Sequence, residues 1–305
     1  MRALPSRPSR TPGPSRISRI SRAVPAAILL VAGTAAGLGA STASAGAATA
    51  WAPADSAAIH PGVMMYTAGA QCTANFVFTD DSGATYVGYA AHCAGTGAAT
   101  DTDGCQAGSL PLGTRVDFVE GGSLLSEGTR VGGGTLAYSS WLAMRGGAET
   151  DPATCAYNDL ALVRVNEPDV DQVNPSIPFW GGPVGLDTDG TTTGDAVYSY
   201  GNSSLRAGLE LLSPKKGASL GDQAADEGWS HPVYTLTPGV PGDSGSAFLD
   251  ESGNALGVLS TLALAPLPAS NGVGDLAKEL AYAQAHSGLS GLELVPGTEP
   301  FSPLL

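Results

Sequence analysis

Lysine is scarce in this sequence, with three in 305 residues against eleven arginines. Six of the arginines (Arg2, Arg7, Arg10, Arg16, Arg19, Arg22) fall in the first 22 residues, a stretch without a single acid. No basic run follows them, so a nucleic-acid backbone has nothing to bind. Long apolar stretches are missing after residue 45, and no later segment has the length of a membrane span. Cysteines number four, and no two have the tight spacing of a zinc module. The two Asp-Thr-Asp-Gly segments, Asp101–Gly104 and Asp187–Gly190, lack the closing glutamate of a calcium loop; Leu112 and Tyr198 stand there. They read as acidic turns. No metal and no cofactor are expected.

What is present begins with an export pattern. A basic start, an apolar stretch over Ala23–Ala40 and the small-x-small site Ala43-Ser44-Ala45 describe a signal peptide, residues 1–45, with cleavage after Ala45. The rival is an uncleaved anchor, for which the stretch is barely long enough. The remaining chain holds eight basic and 28 acidic residues, a net charge of −20. Such acidity disfavours nucleic acid and anionic membranes. In an exported chain Cys72, Cys93, Cys105 and Cys155 read as disulfides. Of the three possible pairings, Cys72–Cys93 with Cys105–Cys155 is expected.

With 42 glycines and 22 prolines, the composition favours short strands and turns. Ala74–Phe78 and Ala84–Tyr89 flank an Asp/Ser/Gly turn and read as a hairpin. Further strands are expected at Thr114–Val119, Gly134–Tyr138, Leu160–Val165, Ala196–Tyr200, Glu210–Leu212, Val233–Thr235, Ser246–Leu249 and Leu256–Leu262. Residues 274–286 give the one convincing helix, with Leu276, Leu280 and Ala283 on one side and Lys278 and Glu279 on the other.

Three segments carry chemistry: Ala90-Ala91-His92-Cys93, Asn158–Val163 and Gly242-Asp243-Ser244-Gly245-Ser246. Serine is a poor nucleophile until a base takes its proton. Histidine does this near neutral pH, and an aspartate orients the imidazole. Gly242 permits a tight turn, and the amides of Gly242 and Ser244 would then face an oxyanion. Each segment alone is an ordinary turn or strand start. Together, in the order His92, Asp159, Ser244, they point to a serine hydrolase.

On these motifs, residues 59–290 resemble a chymotrypsin-fold, trypsin-like serine protease of the secreted bacterial kind. The resemblance implies an all-β fold of two packed antiparallel six-stranded β-barrels with a C-terminal helix. It implies a tail at 46–58, a first barrel at 59–165, a connection at 166–195, a second barrel with the helix at 196–290, and a tail at 291–305. His92 would be the base, Asp159 its partner, Ser244 the nucleophile, and Gly242 with Ser244 the oxyanion hole. Ser260, Thr261 and Leu262 match the strand on which substrate lies, and Pro238 the position where an acid would select Lys or Arg. Leu259 stands where glutamate-selective relatives carry histidine, and Leu262 where glycine is usual. Cleavage after small or medium apolar residues is therefore expected.

The chain departs from the family at its start. The family's activating Ile-Val-Gly-Gly start has only a poor counterpart in Ile59-His60-Pro61-Gly62-Val63, which leaves an internal donor as the alternative partner for Asp243. Ser246 also follows Gly245 where glycine is usual. The expected partner is a protein or peptide substrate, with no nucleic acid and no membrane after leader cleavage; the protein is expected to be a secreted monomer. Rival functions are a silent binding module and an esterase-like hydrolase on the same fold. His60, His231 and His286 are read as structural or surface residues.

Overall fold

Short β-branched and aromatic runs between Gly-, Asp- and Ser-rich turns build sheets rather than long helices. The computed structural model describes residues 50–98, 102–263 and 269–303, all within the compact unit Ala48–Leu305. The expected leader, 1–45, lies outside the described residues, as does Asp101.

The first half of the unit contributes seven strands: β1 (Met64–Thr67), β2 (Ala70–Thr73), β3 (Val77–Thr79), β4 (Thr85–Ala90), β5 (Arg115–Glu120), β6 (Thr129–Ser139) and β7 (Leu160–Val165). The second half contributes β8 (Ala196–Tyr200), β9 (Pro214–Ser219), β10 (Ser230–Thr235), β11 (Ala247–Leu249), β12 (Ala255–Ala263) and β13 (Ser270–Asp275), with a short β14 (Glu293–Leu294) near the end. β8 to β13 form a closed antiparallel barrel in the order β10-β13-β12-β11-β8-β9. The other strands form one antiparallel sheet, β14-β3-β4-β7-β6-β5-β1-β2. This sheet curls on itself. On one side of residues 74–76, Ala74 N–H donates to Val63 O and Gly62 N–H to Ala74 O; on the other, Asn75 N–H donates to Gly88 O in β4. The fold is all-β, with the C-terminal helix in its expected place.

β4 is buried along its whole length and β7 at every residue but Arg164, as strands covered on both faces must be. The apolar core runs from Ile59 and Phe76 through Tyr89 and Leu162 to Leu249 and Leu280. Each such fully buried large side chain contributes about 2 kcal/mol.

Among the described residues there are three α-helices: α1 (Ser140–Gly147), α2 (Pro152–Tyr157) and α3 (Leu276–His286). α2 was not expected. Asp151 caps it by accepting from Thr154 N–H at 2.7 Å, with Pro152 in its first turn. Asp275 caps α3 through Lys278 N–H, also at 2.7 Å. Glu279, expected on the outer side of this helix, is instead fully buried with Leu276, Leu280 and Ala283.

Four other expectations are corrected. Glu210–Leu212 is a 3₁₀ turn and not a strand. β1, β2, β9 and β13 went unforeseen; β13 reads Ser-Asn-Gly-Val-Gly-Asp and is strand only because β10 and β12 pair with it on both sides. Within the expected tail 46–58, Ala52 N–H bonds Val173 O, and its continuation Ile59 bonds Gln172 O. Within the tail 291–305, β14 pairs with β3, and Phe301 lies edge-on to Tyr198 at 5.3 Å. The described parts of both expected tails are thus held against the rest of the fold.

Candidate active site

His92 sits in the 3₁₀ turn Ala91–Ala94 that follows β4 directly. A disulfide joins its neighbour Cys93 to Cys72 in β2, closing a loop with a sequence separation of 21. A loop of that length is worth about 3 kcal/mol in the chain-entropy model. The second disulfide, Cys105–Cys155, ties α2 to the loop before β5. The pairing is the expected one. The sulfurs of Cys72 and Cys93 near His92 are therefore already committed to a bond.

Asp159 lies between α2 and β7, where it is 4% exposed. One carboxylate oxygen, Oδ1, accepts His92 N–H at 2.8 Å. The other, Oδ2, lies 2.7 Å from His92 Nδ1 and accepts from Ser260 Oγ at 2.6 Å. An ionised carboxylate only accepts. The His92 proton therefore sits on Nδ1, and Nε2 keeps its lone pair. Burial lowers the basicity of His92, but the charge of Asp159 and its hydrogen bond outweigh this, and the net shift is upward from 6.5.

Ser260 reaches Asp159 because of a bulge. β12 pairs Leu259 with Val273 and then Thr261 with Gly272, which leaves Ser260 without a partner. A bulge of this kind re-aims a side chain. Behind Asp159, Glu279 of α3 accepts Asp159 N–H at 2.8 Å. Burial above all, aided by the charges of Asp159 and Asp275, raises the Glu279 carboxyl well above its usual value.

Ser244 lies in the loop between β10 and β11. Its carbonyl accepts Thr73 N–H at 2.8 Å, which joins the loop to β2. Gly242 and Gly245 both take left-handed backbone, with φ of 96° and 89°. A Cβ on Gly242 would lie 2.2 Å from Gln71 Oε1, and one on Gly245 2.6 Å from Thr73 O. Only glycine fits either position.

Asp243 is fully buried. Arg206 Nη2 donates to its Oδ2 at 2.5 Å. Lys215 Nζ lies 3.1 Å from the same oxygen as an ion pair without hydrogen-bond alignment. Burial, which outweighs the attraction of Asp243, lowers the basicity of Lys215. Gly201 closes this cluster; a Cβ there would sit 2.5 Å from Asp243 Oδ1.

His92, Asp159, Gly242, Ser244, Ser260, Thr261 and Leu262 all line one cleft of about 570 Å³. Pro238 does not line it; its carbonyl accepts from Arg206 Nη2 at 3.3 Å. Val240, Leu259 and Asn271 line the cleft near that point instead. Asn271 escaped the sequence reading because it stands in the unforeseen β13. Its Oδ1 accepts Gly239 N–H at 3.0 Å and its Nδ2 donates to Thr261 O at 3.3 Å. Trp141 of the unforeseen α1 lies 6.5 Å from the His92 ring. His231 is buried and His60 half-buried, both away from the cleft lining, and the His286 ring stacks on Tyr282 at 4.1 Å.

No helix among the described residues is long and apolar enough to cross a membrane. No protein-family model matches the chain, and no curated protein matches it. Among solved structures the chain is similar to Thermobifida fusca Protease A at 19% identity, over 78% of this chain and 99% of that one, with a TM-score of 0.48. It is similar to Nocardiopsis protease at 18% identity, over 77% and 98%, with a TM-score of 0.44, and to Cellulomonas bogoriensis chymotrypsin at 17% identity, over 78% and 98%, with a TM-score of 0.44.

Proposed function

We propose that the protein is a secreted serine endopeptidase of the chymotrypsin-fold, trypsin-like kind. One observation carries the reading: the 2.7 Å contact of His92 Nδ1 with buried Asp159 Oδ2, in a cleft that Ser244 also lines. In the first step Ser244 Oγ attacks the scissile carbonyl carbon as His92 Nε2 takes the hydroxyl proton. The resulting imidazolium keeps its Nδ1–H on Asp159. The Gly242 and Ser244 amides hold the oxyanion. Collapse breaks the C–N bond, and His92 returns the proton to the leaving amine. Water then repeats the sequence on the acyl-enzyme and releases Ser244.

Substrate is placed along Ser260–Leu262. β11 covers β12 only through Val258, and Ser246 extends the pairing to Leu259. Ser260, Thr261 and Leu262 beyond it line the cleft, where an extended peptide would pair with them. Val240, Leu259 and Leu262 give the cleft an apolar wall, and the Asn271 amide beside them is already engaged. Small or medium apolar residues before the cut bond fit this lining, and a peptide panel cleaved best after Arg or Glu contradicts it. Export is supported by the basic-apolar start and by the two disulfides. The protein acts as a monomer on protein or peptide substrates.

The test is fluorophosphonate labelling with Ser244→Ala as control, followed by a casein assay. Labelling of the parent protein alone, with casein cleavage, is expected. Labelling without proteolysis indicates the esterase-like alternative, and no labelling indicates a binding module.

A further inference from the structure

We propose that Ser203 and Ser246 are positioning residues that hold the oxyanion-binding amides in orientation; the inference rests on the protease reading above. In a planar trans peptide the N–H points opposite to the preceding carbonyl. The direction of Gly242 N–H is therefore set by Pro241 O, and that of Ser244 N–H by Asp243 O.

Both carbonyls are held by a serine hydroxyl. Ser203 Oγ donates to Pro241 O at 2.5 Å. The same oxygen accepts Leu205 N–H at 3.1 Å, which directs its proton toward Pro241. Ser246 Oγ donates to Asp243 O at 2.7 Å, and Ser246 N–H bonds it at 3.0 Å. The carbonyl between them, Gly242 O, accepts from Thr73 Oγ1 at 2.7 Å and Gln71 Nε2 at 3.0 Å. Three successive carbonyls are thus tied down. Both serines are buried, Ser203 at 1% and Ser246 at 0% exposure.

The tie matters because a loop with left-handed glycine on either side of the serine can rotate its peptides. Turning Pro241 C=O inward would put the negative end of a dipole where the oxyanion must sit. Preorganised donors stabilise charge because they need no reorientation as it forms. Without the hydroxyls, the loop would have to be ordered anew in each transition state. The ground-state substrate, which places little charge there, would feel the difference far less.

The test compares Ser203→Ala, Ser246→Ala and the double variant with the parent protein. Active-site titration corrects for folded protein and circular dichroism follows melting. The readouts are kcat and KM on a peptide amide, and the inhibition constants of a peptide trifluoromethyl ketone, which forms an oxyanion, and of the matching peptide acid, which does not. Each single variant is expected to lose about tenfold in kcat and in ketone affinity, with KM and acid affinity held within about twofold. Ser203→Thr, which keeps the hydroxyl, is expected to recover most of the loss. Equal weakening of both inhibitors, or unchanged kcat, overturns the proposal. Should one alanine variant fail to fold, the other carries the same comparison. A parent protein that fluorophosphonate does not label overturns the protease reading and this inference together; a labelled parent with an unchanged ketone-to-acid ratio overturns the inference alone.

Discussion

At the scale of single residues, two histidines meet carboxylates and are put to different uses. His92 keeps Nε2 free, and its basicity is raised against burial by Asp159. On the proposed mechanism His92 is the base and must be neutral to act, so the acid limb of kcat/KM is expected above pH 6.5, and Asp159→Asn should move it down while cutting kcat by about 10⁴-fold. A pH–rate profile on one peptide substrate checks both. His231 is 1% exposed and has neither nitrogen free: Nδ1 lies 2.7 Å from Asp222 Oδ1, and Nε2 lies 3.0 Å from Asp275 Oδ2. Donating to both carboxylates requires the imidazolium. Burial lowers its basicity, the two carboxylates outweigh this, and the net shift is upward from 6.5. The fold thus binds this proton more tightly than the unfolded chain does. The stabilisation is complete below the ordinary value of about 6.5 and fades as pH rises through the elevated one. His231→Asn should cost about 3 kcal/mol at pH 5.5 and clearly less well above the elevated value, measured by urea unfolding at both.

At the scale of elements, α3 reaches from the second half of the chain to Asp159, the carboxylate hydrogen-bonded to His92. Glu279 Oε1 accepts Asp159 N–H, while its Oε2 is buried without a hydrogen-bond partner. Burial raises the carboxyl well above its ordinary value, so its benefit is full below its unfolded value and declines as pH climbs toward the folded one. Glu279→Gln keeps the acceptor and removes the titration, so its stability relative to the parent should increase with pH. Glu279→Ala strands a buried N–H and opens a cavity; a loss of about 3 kcal/mol, with lower kcat/KM, is expected from thermal melts and kinetics. None of this was legible in the sequence, where helical spacing turned Glu279 outward. Periodicity sees apolar positions, and a buried carboxyl looks to it like an exposed one. What could be read was what local chemistry dictates: the strands Leu160–Val165 and Ala196–Tyr200, the three motifs, the cysteine pairing and the C-terminal helix. Asn271 and Trp141 were hidden because the elements that carry them owe their form to neighbours distant in sequence. Leu262 lines the cleft, as its place in the sequence led one to expect, whereas Pro238 stands off the cleft lining.

At the scale of the whole molecule, the open matter in the sequence was how buried Asp243 is neutralised without a suitable free amine. The described residues nearest the expected mature start are engaged elsewhere: Ala52 bonds Val173, and Ile59 bonds Gln172 and Asn174. Asp243 takes its charge partners from β9 and the turn before it, Lys215 and Arg206. Activity should therefore not depend on which residue begins the mature chain. A protein beginning at residue 46, the same protein acetylated there and one extended by a few residues are expected to share one kcat. The two cations should not be equal. Arg206 makes the aligned hydrogen bond and also reaches Pro238 O, so Arg206→Met should cost about 3 kcal/mol and most of kcat by leaving a poorly paired buried carboxylate. Lys215 is a second cation on a carboxylate already paired, with its basicity lowered by burial. Lys215→Met removes one desolvated charge while Asp243 Oδ2 keeps Arg206, and should change stability by about 1 kcal/mol or less. Urea unfolding and kcat across the series decide the matter. A tenfold or greater gain on freeing the N-terminal amine, or equal losses from the two substitutions, would show that Asp243 is governed from the chain terminus and not from Arg206.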